Sequence, residues 1–252
     1  MKDHGEVWDH YVDREFPLKR SAHPGAEVPG DEWSPPELWQ DVLERTLFQR
    51  VTSSAPKLIE LAPGAGKQTR LVLAHYADPT ILAFDVSAAF LRTYREALDG
   101  EIGTRVFPAQ LGDDHREILH AVERHKLSRR IDALYSFDSM VHVDFQQLMV
   151  FVITALFVLR KRGVVVMDLA DIESEAGFER LIRGAPAHYH HHGAACGKFA
   201  FAHRAMVETA LPRLGFDVEV MAHPLGNLLV VATLSDRSKG LDALGSATTD
   251  WR

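Results

Sequence analysis

Short apolar runs punctuate the chain, and the segments between them carry the spacing of amphipathic helices. Leu58-Ile59-Glu60-Leu61 closes on Ala62-Pro63-Gly64-Ala65-Gly66. The run at 80–85 ends in Asp85, and that at 104–109 leads into Gln110. The run at 131–137 opens into Asp138-Ser139-Met140-Val141-His142-Val143-Asp144, and that at 164–168 ends in Asp168. Apolar runs of this kind, bounded by turn formers, read as buried strands. Helices are expected over 66–75, 88–98, 113–125 and 145–161. Alternating strands and helices form right-handed βαβ units, hence an α/β fold with a parallel sheet. Farther along, 203–214 predicts an amphipathic helix ended by Gly215, with strands at 216–221 and 227–234.

The flanks read differently. Residues 1–50 hold Trp8, Tyr11, Phe16, Trp33 and Trp39 among several prolines. Ser34-Pro35-Pro36-Glu37 resembles a capping box opening a helix over 37–49. Those aromatics either pack the segment onto the sheet or form a cover over a ligand, with Tyr11 as a candidate substrate contact. After 168 the chain is expected to be helical in part to 184. A loop then follows with His188, Tyr189, His190, His191, His192 and Cys196. The expected organisation is a helical extension or lid (1–50), a core domain (51–235) with an insertion near 170–202, and a loosely held tail (236–252).

Composition narrows the classes. A net charge of −7 argues against a nucleic-acid partner, which calls for a basic footprint. The apolar stretch 148–159 is short of the roughly 20 residues that a membrane helix needs. Residues 1–20 are charged and predict no secretory signal. The single Cys196 excludes an internal disulfide and suits a reducing cytoplasm.

The chemistry concentrates at 60–70. Gly64 and Gly66 let the backbone turn sharply and approach a ligand, and the N–H groups of the following helix face the same place. A phosphate-gripping loop needs Gly-Lys-Ser/Thr, but Gln68 follows Lys67. A dinucleotide fingerprint needs a third glycine where Thr69 stands. What remains is the acid-x-Gly-x-Gly-x-Gly pattern of S-adenosylmethionine (SAM) binders, with Ala62 in the first glycine position. Asp85 ends the next strand, where a carboxylate accepts both ribose hydroxyls, while Ser87 is the better helix cap.

From about 57 to 234 the chain resembles the class I SAM-dependent methyltransferases. The likeness rests on Glu60–Gly66, Phe84–Ser87, the Ser136-Phe137-Asp138 strand end with Val141-His142-Val143, and the 158–163 segment. Lys161-Arg162-Gly163 replaces the family's usual Pro-Gly-Gly, in an expected turn. The resemblance implies a Rossmann-like seven-stranded, mostly parallel sheet with helices on both faces and the last strand antiparallel. It implies SAM as cofactor, released as S-adenosylhomocysteine (SAH). The cofactor contacts would be Glu60, Ala62, Pro63, Gly64, Gly66, Thr69, Asp85, Val86, Gln110, Phe137 and Asp138. The expected reaction is methyl transfer to a small molecule, with oxygen the preferred acceptor because histidines crowd the insertion. His142, His188 and His190 are candidate bases, and His142, Tyr189 and His191 candidate substrate contacts. A metal site, a polar surface loop and a capping role for His142 compete with these readings, and no metal is expected. A homodimer is allowed. The rival functions are SAM or nucleotide binding without transfer, and NAD(P)-dependent oxidoreduction.

Overall fold

The computed structural model describes residues 2–112, 114–190 and 198–251, with side chains for all of these but 2, 3 and 187–190. The described residues form two compact units, one up to Asp114 and one from His115 onward.

In the first unit the chain opens with α1 (Lys2–His10), a π-helical turn at Tyr11–Glu15 and α2 (Phe16–Arg20). α3 (Pro36–Leu43) follows and continues into a second π turn, Glu44–Phe48. The expected capping box does not form. Pro35 takes the N-cap position without a side-chain bond, and the Ser34 hydroxyl instead accepts the indole N–H of the fully buried Trp39 at 2.7 Å. Three parallel strands, β1 (Lys57–Leu61), β2 (Thr80–Asp85) and β3 (Val106–Gln110), pair in the order β3-β2-β1. Their register sets Leu61 opposite Phe84 and Asp85 opposite Gln110, so the strands end together. α4 (Lys67–His75) leaves β1, and α5 (Ala88–Ala97) leaves β2.

In the second unit β4 (Ile131–Ser136), β5 (Leu159–Asp171), β7 (Phe216–Ala222) and β8 (Asn227–Leu234) run in the order β4-β5-β8-β7. β4 is parallel to β5, and β8 is antiparallel to both of its neighbours, as expected for the last strand. A two-residue strand, β6 (Phe201–Ala202), adds to β5. The helices are α6 (Glu117–Arg124), α7 (Phe145–Val158), α8 (Glu175–His190), α9 (Arg204–Arg213) and α10 (Arg237–Leu244).

Three stretches depart most from the sequence reading. α7 ends at Val158 rather than 161, and β5 starts at Leu159. The expected turn is instead an irregularity within the strand: Ile131 faces Leu159, Ala133 faces Val164, and Arg162 takes a φ of 63°. α8 continues through Pro186 to His190, so His188, Tyr189 and His190 belong to a helix end rather than to a loop. The segment expected as a loose tail forms α10 and a 3-10 turn at Gly245–Trp251. Asp236 caps α10 through the N–H groups of Ser238 and Lys239, and Arg237 donates to the Leu156 and Leu159 carbonyls.

Candidate functional site

The first unit builds a cradle at the adjoining tips of β1 and β2. The chain leaves β1 through three left-handed residues, Ala62 (φ 50°), Gly64 (φ 56°) and Gly66 (φ 86°). Glycine carries such angles at no steric cost, whereas Ala62 holds one despite its Cβ. The Ala62 N–H donates to the Phe84 carbonyl at 2.6 Å, which ties the loop to β2. Gly66 has a second constraint, since a Cβ there would lie 3.2 Å from the Tyr94 ring and from Leu98. The buried Asp85 carboxylate accepts the Ser87 N–H on Oδ1 at 2.9 Å and the Gly64 N–H on Oδ2 at 3.2 Å. Burial pushes its carboxyl up to about 7, against the pull of the Ser87, Gly64 and Val86 amides; the charge of Asp9 adds to the rise. The Ser87 hydroxyl caps α5 by accepting the Phe90 N–H at 3.0 Å, so Asp85 is left as an acceptor at the strand tip.

Glu60 is buried and accepts the hydroxyl of the fully buried Thr69 at 2.6 Å, joining β1 to α4. Pro63 is buried too, while Ala62, Gly64 and Val86 are partly exposed. Gln110 is exposed at the end of β3 and donates to the Val86 carbonyl at 3.1 Å. Tyr11 is completely buried among Phe16, Ala26, Ala65 and Phe90, and its hydroxyl donates to Glu32. Packing therefore accounts for Tyr11 in this structure.

The second unit carries another polar cluster, at the end of β4. Phe137 is buried, and Asp138 takes a left-handed φ of 59°. The Asp138 N–H donates to Oδ1 of the fully buried Asp168 at 2.8 Å, and Asn227 donates to Oδ2 at 2.8 Å. The Asn227 amide oxygen in turn accepts from Arg180 at 2.7 Å. Burial pushes the Asp168 carboxyl up to about 6, restrained by Asn227 and the Asp138 amide. His142 ends a 3-10 turn, with Nδ1 2.5 Å from the Lys198 carbonyl and its ring 5.0 Å from that of Phe199. A carbonyl only accepts, so Nδ1 carries the proton and, in the neutral ring, Nε2 is the basic nitrogen. The side chains of His188, Tyr189 and His190 lie outside the described ones, as does His191 altogether. Among the described residues no group of histidine, cysteine and acidic side chains is placed to hold a metal, and no helix is long and apolar enough to cross a membrane.

No protein-family model and no curated protein matches the chain. Solved structures do match. The pyocyanin biosynthetic protein PhzM aligns with a TM-score of 0.60 at 17% identity, over 91% of this chain and 62% of PhzM. The CurJ carbon methyltransferase aligns with a TM-score of 0.58 at 16% identity, over 91% of this chain and 61% of CurJ. Magnesium protoporphyrin IX methyltransferase (ChlM) from Synechocystis PCC 6803, solved with bound SAH, aligns with a TM-score of 0.59 at 12% identity, over 90% of this chain and 98% of ChlM. The chain has a methyltransferase fold. It spans about three fifths of the length of CurJ and PhzM.

Within that methyltransferase fold, several participants had no signal in the sequence. Asp168 reads from the sequence as a strand end, yet its carboxylate organises the Asp138 backbone from 30 positions away. Tyr94 lies on α5, where its ring walls Gly66. Burial first, then the charge of Glu60, holds its phenol well above the usual range. Asp9 reaches Ser87 across 78 positions. From the sequence Tyr94 reads only as part of a helix, and no partner is legible for it, for Asp168 or for Asp9.

Proposed function

We propose that this protein is a SAM-dependent methyltransferase acting on a small molecule, with a hydroxyl oxygen as acceptor. The observation that carries the reading is the meeting of Gly64 and Asp85, a bare left-handed backbone beside a buried carboxylate. The donor set suits an adenosyl ligand. The Asp85 carboxylate takes the Ser87 and Gly64 amides on separate oxygens with Val86 also contributing, and a carboxylate offers about four acceptor sites, so capacity remains for a ribose hydroxyl. Gly64 suits close approach of a ligand because its backbone is left-handed and partly exposed. Glu60 and Thr69 would keep the loop in place, and Val86 and Gln110 would border the base. Bound SAM would supply an electrophilic methyl group on its sulfonium.

For an oxygen acceptor, His142, which the family resemblance sets near the sulfonium, would take the hydroxyl proton on Nε2 as the methyl passes from sulfur to oxygen and leaves SAH. The Lys198 carbonyl would hold the ring in the required tautomer. Asp168 would fix the backbone of Asp138, which the family resemblance assigns to the reacting end of the cofactor. These groups orient and accept a proton; direct methyl transfer asks for no protein nucleophile.

Incubation with SAM carrying a tritiated methyl and a panel of phenols, alcohols, amines and thiols tests the reading. Labelled methyl ethers whose yield falls roughly 100-fold in His142→Ala, with SAH affinity retained, support it. Label on nitrogen, carbon or sulfur alone contradicts the oxygen assignment, and full ether formation by His142→Ala contradicts the base role of His142. Tight SAH binding without any label transfer points to the binding-only alternative.

A further inference from the structure

Residues 4–34 are fastened to both strand tips of the proposed cofactor site. From α1, Asp9 Oδ1 accepts the Ser87 hydroxyl at 2.6 Å and the Ala89 N–H at 2.9 Å, so it joins Ser87 in capping α5. The Ser87 N–H donates in turn to Asp85. Helix α1 lies so close there that a Cβ on Gly5 would come within 2.7 Å of the Val86 carbonyl oxygen. On the other side Lys67, the first residue after the glycine loop, is buried. Its ammonium donates to the carbonyls of Gly30 at 2.7 Å and Ser34 at 2.9 Å, with Asp31 at 4.0 Å. Ala65, inside the loop, shares a core cluster with Tyr11, Val12, Phe16 and Ala26.

The juxtaposition of Asp9 with Asp85 is unfavourable in itself, because two carboxylates repel at short range in a poorly hydrated setting. It persists because Asp9 is satisfied by two donors at the start of α5, where the helix dipole also favours an anion. Asp9 thereby fixes Ser87, and Ser87 fixes one of the two Asp85 oxygens. We infer that Asp9 is a positioning residue for the adenosyl site: through Ser87 it sets the Asp85 carboxylate, and the segment 4–34 must be docked for the nucleoside to bind. The inference rests on the cofactor reading above, and it gives the N-terminal segment a defined part in that site.

Calorimetric titration with SAH of the wild type, Asp9→Ala and Asp9→Asn tests it, together with amide hydrogen exchange of the wild type with and without SAH. Asparagine keeps an acceptor for both donors, whereas alanine keeps none. Loss of a helix-cap acceptor of this kind is expected to weaken SAH roughly tenfold in Asp9→Ala. Asp9→Asn is expected to stay within about threefold of the wild type. SAH should slow amide exchange in residues 4–20 as well as in 62–66. Equal SAH affinity of Asp9→Ala and the wild type overturns the inference, as does an Asp9→Asn variant no better than Asp9→Ala. Should Asp9→Ala fail to fold, unchanged exchange of residues 4–20 on adding SAH overturns it by itself. A wild type that does not bind SAH defeats the cofactor reading, whereas wild-type binding indifferent to Asp9 defeats this inference alone.

Discussion

Ala62 is the residue at which chemistry and backbone disagree most plainly. Its φ of 50° belongs to the left-handed region, where an L side chain costs about 1–2 kcal/mol. Glycine removes that cost but adds about 0.5–1 kcal/mol of chain entropy in the unfolded state. Relief exceeds the entropy loss, so Ala62→Gly should raise stability by roughly 0.5 kcal/mol, with the thermal midpoint rising by about a degree or two and SAH affinity no weaker. A lower midpoint would show that the Ala62 methyl contributes packing that outweighs its strain. The sequence marked this position as a departure from the glycine pattern. The angle that explains the pattern is visible only in the folded chain.

Elements bounded by residues with one strong conformational preference were legible. β1, β2 and β4 are short, mainly apolar segments, and the structure starts and ends them within about a residue of the sequence reading. The illegible parts follow from competition between local and distant partners. Ser34 has the chemistry of a cap, but the buried Trp39 indole needs an acceptor and takes it. The 161–163 segment reads as a turn, yet Leu159 pairs with Ile131 of β4 and pairing with β4 and β8 resumes at Val164, so the segment is an irregularity within one strand, with Arg162 at a left-handed φ. The contact that joins β1 to α4, Thr69 to Glu60, also escaped the sequence, where both residues read only as cofactor contacts. Thr69→Val keeps the shape and removes the donor, so a buried acid loses a hydrogen bond. Urea denaturation is expected to show a loss of about 1–3 kcal/mol, with Thr69→Ser close to the wild type. A loss below about 0.5 kcal/mol in the valine variant would mean that Glu60 is held by its other contacts alone.

Over the whole chain, the two carboxyls raised by burial, Asp85 to about 7 and Asp168 to about 6, shape how stability depends on pH. Their unfolded value is 3.8, so between about pH 4 and 7 the folded state binds more protons than the unfolded chain. Their stabilising contribution is complete below pH 4 and is lost as pH rises through about 6 for Asp168 and about 7 for Asp85. Without ligand, the thermal midpoint of the wild type should therefore fall more steeply from pH 5 to 8 than that of Asp85→Asn; parallel curves would contradict the burial of that charge. A buried acid retained at this cost, at the tip of β2 and beside a left-handed glycine, is the feature that the proposed function explains. The most direct measurement is calorimetric titration of the wild type and Asp85→Ala with SAM, SAH and NADH. Micromolar binding of both adenosyl ligands that is lost in Asp85→Ala, with NADH silent, is the predicted result. NADH binding with no response to SAM or SAH would contradict the account and assign the cradle to a dinucleotide.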